Sequence, residues 1–390
     1  MTPRWDLLVV GAGPAGCATA LGALQAGPGL RVALLDRAGF PRDKACGDGV
    51  AAEAIDLLRD VGVSGLVDDW RPVRTLRLSR DGHHAARAMA RPAWVVPRAV
   101  LDHRLLRAAQ QAGATLVRHR VRSVQRVGGA VMVDDRLQAP VLVGADGAQS
   151  VVRRSMSASR PRTAIALRGY APTPPERRGA QVIAFRGGRR PGYAWSFDRG
   201  DGLANVGYGE ILAGRRAHST RADMLSRLEA LLPGAAHGAG DWRGAQLPLA
   251  GWHWRPPGGP VLLAGDAAGV VNPMTGEGIY DAVATGLAAG RAAAEAIAAG
   301  RPEHAGVRYR AAVRSVLARH QRHAAAAASL CRHGAVLEAG LRASAADQQI
   351  FDDLVELGLA RGTITARLVR GLARELVRPE RATAATEETG

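Results

Sequence analysis

Asp6-Leu7-Leu8-Val9-Val10-Gly11-Ala12-Gly13-Pro14-Ala15-Gly16, continued to Ala26 and then Arg31-Val32-Ala33-Leu34-Leu35-Asp36, is the stretch that decides the fold. Asp6 to Val10 reads as a buried parallel strand, Pro14 to Ala26 as a helix, and Arg31 to Asp36 as a second strand. Gly11 permits the tight turn, Gly13 lets backbone approach a pyrophosphate, and Gly16 lets the helix pack closely on the strand. The helix N-terminus offers unpaired N–H groups and a positive dipole end to phosphates. Asp36, twenty positions after Gly16, ends the second strand, where a carboxylate can accept ribose hydroxyl hydrogen bonds. A lone GxGxxG is weak evidence. With strand, helix and terminal acid in register, it predicts a Rossmann-type dinucleotide site.

The next stretch, Pro41-Arg42-Asp43-Lys44-Ala45-Cys46-Gly47-Asp48-Gly49, holds the only lysine among 52 basic residues. All the others are Arg, as a GC-rich coding bias would produce. A lysine beside a cysteine and close to a cofactor loop points to a site; drift is the alternative. Pro97-Arg98 opens an amphipathic helix through Ala109, and Leu142-Val143-Gly144-Ala145-Asp146-Gly147 reads as a strand ending in a turn. From Ala171 to about Trp254 short strand-like pieces (Gln181–Phe185, Tyr193–Phe197, Ala204–Tyr208) alternate with Gly and Arg turns, which predicts a mainly antiparallel inserted sheet. Nucleotide-domain texture returns at Pro260-Val261-Leu262-Leu263-Ala264-Gly265-Asp266, and helices follow from Glu303.

The expected class is α/β. A discontinuous nucleotide domain (1–75, 95–170, 255–300) carries an inserted substrate sheet (76–94, 171–254), then C-terminal helices (301–378) and a disordered tail (379–390). One dinucleotide fingerprint is present, so a nicotinamide reductant visits transiently or another protein supplies electrons.

A net charge of +17 invites a nucleic-acid reading, but the arginines are scattered and aromatics make up only 4% of residues. Solvated surface and codon bias are the expectation, with no nucleic acid. No run approaches the ~18 apolar residues of a membrane helix. The N-terminus leaves no room for a signal peptide, and three cysteines without metal spacing fit a reducing cytoplasm.

Taken together, Gly11-x-Gly13-x-x-Gly16 with Asp36-Arg37, Gly144-Ala145-Asp146-Gly147 and Gly265-Asp266 resemble the fingerprints of FAD enzymes of the p-hydroxybenzoate hydroxylase fold. The Pro41–Gly49 stretch narrows this. So do Tyr193-Ala194-Trp195-Ser196-Phe197-Asp198 with the later Gly207-Tyr208-Gly209, and Asn272-Pro273-Met274-Thr275-Gly276-Glu277-Gly278-Ile279. These, with Phe351 to Leu359, are similar to the geranylgeranyl reductase family, whose members reduce carbon–carbon double bonds of prenyl chains. The resemblance covers nearly the whole chain.

The resemblance implies FAD held by Gly11, Gly13, Ala15, Gly16, Asp36, Arg37, Lys44, Cys46, Gly47, Arg98, Val121, Asp146, Gly265, Asp266, Gly276, Gly278 and Ile279. Electrons would come from NAD(P)H or an electron-transfer protein. Asp266 would meet the ribityl chain or pyrophosphate. Gly276, Gly278 and Ile279 would aim N–H groups at the flavin ring. Cys46 would lie near that ring, as proton donor or as pocket wall; Cys17 and Cys331 read as core. Tyr193 and Trp195 alternate on one strand face, and either line the alkene's tunnel or pack in the sheet core. The family has proline where Asp198 stands, so Asp198 either points away or signals a more polar substrate.

The implied activity is reduction of an isoprenoid double bond. A flavin monooxygenase acting on a natural product is the alternative, and a lipid or flavin carrier a third. Trp252-His253-Trp254-Arg255-Pro256 superficially resembles a flavin halogenase motif, but Arg255 replaces an isoleucine and no lysine follows Lys44. His320-x-x-His323 with Cys331 and His333 lacks carboxylates, so exposed helix surface is expected and no metal. Ile364 to Arg378 shows an apolar stripe at 364, 368, 372 and 376 with arginines on other faces. It either packs on the protein's own core or rests peripherally on an anionic membrane.

Overall fold

The structure is a computed structural model that describes residues 5–156, 161–187, 191–212, 219–251 and 256–377. Along the first half run β1 (Leu7–Val10), α1 (Pro14–Ala26), β2 (Val32–Asp36), β3 (Gly49–Ala51), α2 (Ala52–Arg59), β4 (Val73–Arg80), β5 (His83–Val95) and α3 (Arg98–Gln111). Then come β6 (Thr115–Arg118), β7 (Val124–Val127), β8 (Ala130–Val133), β9 (Leu137–Ala139), β10 (Val141–Gly144) and α4 (Val151–Ser155). The second half holds β11 (Arg162–Pro172), β12 (Ala180–Phe185), β13 (Gly192–Asp198), β14 (Leu203–Ile211), α5 (Arg221–Leu231), β15 (Gly240–Leu249), β16 (Val261–Leu263) and α6 (Ile279–Ala298). It ends in α7 (Ala305–Val316), α8 (Ala318–Leu330), α9 (Gly334–Ala346), α10 (Gln348–Leu359) and α11 (Ala366–Val377).

A five-stranded sheet in the order β16-β10-β1-β2-β6 pairs in parallel throughout. Its strands are apolar without alternation because both faces are covered. Helices α1, α3 and α6 cover one face; the β7-β8-β9 sheet packs near the other. Gly11, at φ 102°, makes the turn out of β1, and a Cβ there would stand 2.4 Å from the Ala145 carbonyl oxygen. At Gly16 a Cβ would fall 1.8 Å from the Gly11 oxygen, the close helix–strand approach expected of the third glycine.

The second sheet has eight strands in the order β15-β11-β14-β13-β12-β4-β5-β3, antiparallel except for the β12–β4 pair. One face packs on α5 through Ala184, Ala194, Tyr208, Met224 and Leu228. On the other, Leu76, Met89 and Ala93 meet Phe351 of α10. The α/β class and the mainly antiparallel inserted sheet stand as expected.

The boundaries drawn at 75 and 170 need correction: they cut through β4 and β11, which pair within the eight-stranded sheet along their lengths, and β3 joins it too. Long-range strand pairing, not local texture, sets that membership. The tail 379–390 and the segment Trp252 to Arg255 lie outside the described residues.

Candidate functional site

A cavity of about 1290 Å³ begins at the glycine loop, passes between the two sheets and continues under α8, α9, α10 and α11. Of the sequence-expected residues, all but Gly16 and Gly265 line it. Those two serve packing instead: a Cβ on Gly265 would stand 2.8 Å from the Ala15 Cβ.

The N-terminus of α1 opens onto this cavity with no side-chain cap at Gly13. Beside it Arg98 forms a two-pronged pair with Asp102, Nε–Oδ1 at 2.6 Å and Nη2–Oδ2 at 2.9 Å, and Arg42 reaches the same Oδ2 at 3.0 Å. A Cβ on Gly13 would lie 3.3 Å from Arg42 Nη2 and 3.9 Å from Arg98 Nη2. Unpartnered helix N–H groups next to two guanidiniums make a donor-rich cradle that suits a pyrophosphate. The residues present therefore fit FAD. Arg42 and Asp102 were missed by the sequence reading, although Asp102 stands four residues after Arg98, one helical turn on.

Asp36 lines the cavity, but its oxygens already accept Ala12 N and Ala38 N, each at 2.9 Å, so it also braces the glycine loop. Asp146 caps α4, accepting Ser150 Oγ at 2.5 Å and Val151 N at 2.6 Å. The single lysine reaches across the fold: Lys44 Nζ stands 2.9 Å from Asp266 Oδ2. Burial would raise the Asp266 carboxyl, yet the Lys44 ammonium holds it below the ordinary carboxylate range. Lys44 thus stands in the cavity wall, paired with Asp266.

Cys46 lies between these charges and the aromatic wall. Burial pushes its thiol up, against the pull of the nearby Arg98 guanidinium, so it stays protonated. Tyr193, Trp195 and Phe197 share one face of β13 and turn into the cavity, with centroid spacings of 5.9 and 6.4 Å. Gly207 is the register partner of Trp195, and any Cβ there would strike the indole at 2.3 Å. That close approach explains the paired YxWxF and GxG pattern. The indole Nε1 donates to Asn205 Oδ1 at 2.8 Å, and Asn205 Nδ2 donates to the Cys46 carbonyl and to Asp48 Oδ2, both at 2.8 Å. Asn205 carried no sequence signal, because its partners lie far away along the chain. Tyr193 donates its hydroxyl to the Thr275 carbonyl.

Asp198 points the other way. It accepts Thr173 Oγ1 (3.0 Å), Gly179 N (2.6 Å) and Gly200 N (3.2 Å), and it is absent from the cavity wall. Of the two alternatives for Asp198, the structure shows the first: its carboxylate braces turns behind the sheet.

Two further readings are corrected. His320 is buried, not surface: Nδ1 meets the Gly362 carbonyl at 2.8 Å, and Nε2 is near Asn272 Nδ2 at 3.4 Å. Packing of α8 behind the 271–278 loop draws it inside. Cys331 is half-buried at the far end of the cavity, while Cys17 is core. Among the described residues no group of three or more His, Cys, Asp and Glu could hold a metal, and no helix is long and apolar enough to cross a membrane.

A profile of the FAD binding domain matches residues 4–170. The chain is 34% identical over 326 residues to a menaquinone reductase of Mycolicibacterium smegmatis, covering 77% of this chain and 78% of that one. It is 32% identical over 324 residues to a digeranylgeranylglycerophospholipid reductase of Methanopyrus kandleri, covering 75% and 81%. The crystal structure of a geranylgeranyl bacteriochlorophyll reductase-like protein from Thermoplasma acidophilum superposes with a TM-score of 0.73 at 19% identity, over 95% of this chain and 96% of that one. With the cradle, the aromatic wall and these likenesses in hand, the chain belongs to the geranylgeranyl reductase family of FAD-dependent oxidoreductases.

Proposed function

We propose that this enzyme reduces carbon–carbon double bonds in an isoprenoid chain or a prenylated natural product. The observation that carries this reading is the continuity of the cavity. From Cys46 and the aromatic row it runs on under α9, α10 and α11, between Leu337, Leu341, Leu354, Leu357, Leu368 and Leu372. An apolar passage of that kind fits a prenyl tail and excludes water from an unactivated alkene.

Bound and reduced, FAD supplies a hydride. The α1 N-terminus with Arg42 and Arg98 would hold its phosphates; Asp36, Arg37 and Val121 would hold the adenosine end. Lys44 and Asp266 would hold its middle, and the backbone of residues 276–279 would border the ring; the N–H groups of Gly276 and Ile279 are already given to the Asn272 carbonyl and to Glu277 Oε1. Tyr193 and Trp195 press the alkene into place, and Cys46, kept protonated by burial, gives the proton to the second carbon. The single dinucleotide fingerprint supports a reductant that visits: NAD(P)H or an electron-transfer protein.

The test is to reduce the flavin, add prenyl substrates with and without oxygen, and weigh the product. A gain of two hydrogens supports the reductase, whereas a gain of one oxygen replaces it with a monooxygenase and no change leaves a carrier. Cys46→Ser should keep the flavin and slow turnover, since a hydroxyl is a far weaker acid than a thiol. An unchanged rate would reduce Cys46 to a wall.

The same reading includes peripheral contact with an anionic membrane. What supports it is exposure around α11: Val377 is 83% exposed with Arg370 and Arg374 alongside, and Val369 (52%), Leu376 (48%) and Leu330 of α8 (49%) are exposed where they also line the cavity. Leu368, Gly371 and Glu375 face inward, so the helix packs on the protein and still presents an apolar, basic edge. Co-sedimentation with anionic but not neutral vesicles, reversed by salt, is expected. Failure to bind either at low salt removes the membrane from the account.

A further inference from the structure

One carboxyl group in the cavity wall has a free oxygen. Glu277 Oε1 accepts Ile279 N at 2.8 Å and Tyr280 N at 3.1 Å, clamping the side chain on the first turn of α6. Both of those bonds fall on Oε1, none to Oε2 is formed among the described residues, and Glu277 lines the same cavity as Cys46. The backbone is fixed as well: Asn272 N donates to the Glu277 carbonyl at 2.8 Å, and Glu277 N donates to Thr275 Oγ1 at 3.2 Å. An acid so rigidly aimed is placed, not tolerated.

The charged and titratable groups around it are Cys46 from the loop after β2, Arg98 from α3, Tyr193 from β13 and Asp281 from α6. Tyr193 commits its hydroxyl proton to Thr275, and Asp281 is buried away from the cavity beside Gln321. That leaves Cys46 and Glu277 as the members of this group with exchangeable protons facing the cavity.

We propose that Glu277 returns the proton to Cys46 after each reduction. The inference rests on the reductase reading. In the reducing step the Cys46 S–H bond breaks and a C–H bond forms at one alkene carbon. The hydride supplied by reduced flavin forms the other C–H bond, so the alkene gains the two electrons the flavin loses. The Glu277 O–H bond then breaks as the Cys46 S–H bond re-forms, with no redox change, and the carboxylate takes up a proton from bulk solvent once the product has left. No hydrogen bond joins Sγ to Oε2, so rotation of the Cys46 side chain or a single water that enters after product release completes the path.

The order of acidities gives the direction. Burial pushes Glu277 up to about 7, opposed by its backbone N–H donors and Arg98, while burial lifts Cys46 from 9.0. With the thiol above its ordinary value and the carboxyl near 7, proton transfer runs from the carboxyl to the thiolate. A carboxyl at an ordinary value would be ionised at neutral pH and have nothing to give.

The experiment uses the flavin-loaded full chain and Glu277→Gln. Infrared difference spectra of the parent at pH 6 should show a protonated-carboxyl band that Glu277→Gln lacks and Cys46→Ser keeps, with a midpoint near 7. With the prenyl substrate reduced in the product-mass assay and excess dithionite, Glu277→Gln should complete its first turnover at the parental rate and then slow at least tenfold. The parent's steady rate should fall as pH rises through about 7, and the variant should lack that limb. Absence of the band, or parental steady turnover in Glu277→Gln, overturns the inference while two-hydrogen product leaves the reductase standing. An oxygenated product removes the reductase reading, and the infrared result stays interpretable on its own.

Discussion

Replacing Arg98 by Met should unfold more of this protein than any surface arginine could. Arg98 is 6% exposed, its partner Asp102 is fully buried, and the pair shares two contacts of 2.6 and 2.9 Å. Breaking a buried pair by removing one partner costs about 3–5 kcal/mol, because a charge is left without compensation. Arg42, 3.0 Å from Asp102 and 21% exposed, remains as a second cation and brings the expected loss to about 3 kcal/mol. That is on the order of a hundredfold in the folded-to-unfolded ratio.

The cost belongs to the stranded carboxylate, so Arg98→Met with Asp102→Leu should recover most of it, leaving Arg42 to be hydrated at the cavity. Urea unfolding of the flavin-free proteins followed by circular dichroism measures this without the stabilisation that bound FAD adds. FAD affinity, measured in parallel, should be weak in both variants, since both lose a phosphate donor. A single variant within about 0.5 kcal/mol of the parent, or a double variant no more stable than the single, would refute the reasoning.

Gly290→Val should abolish folding, since even a Cβ there would stand 2.1 Å from the Thr19 oxygen and drive α6 off α1; a normally melting, yellow variant would contradict it. Asp198→Asn should cost about 1–2 kcal/mol, because the new amide turns donors toward groups that also donate. Its preference among prenyl substrates should not move, and a changed preference would return that side chain to the tunnel. Glu277, raised from 4.5 to about 7, makes the native chain bind more protons than the unfolded one between those values, so its contribution is full at low pH and is lost as pH rises through about 7. Glu277→Gln should therefore gain on the parent from pH 5 to 8, by up to about 3 kcal/mol. Urea midpoints that stay parallel across that range would show an ordinary carboxylate.

The nucleotide half of the fold was legible because its rules are local. Gly11, Gly13 and Gly16 satisfy a turn and a helix contact within a few residues of themselves, and β1, α1 and β2 follow in sequence with little choice of geometry. Period-two alternation likewise put Tyr193 and Trp195 on one face of β13. Which face met the cavity and which met α5 was decided by what packs on each side, and the same packing turned Asp198 away.

Lys44 stood out by composition, yet its partner Asp266 is 222 residues away, and only the closing of β16 beside β10 brings them to 2.9 Å. The charge state of Glu277 was not readable from Gly-Glu-Gly at all. An acid's proton affinity depends on the water removed from it, and it was the folding of α6, α3 and the Cys46 loop around one cavity that removed the water.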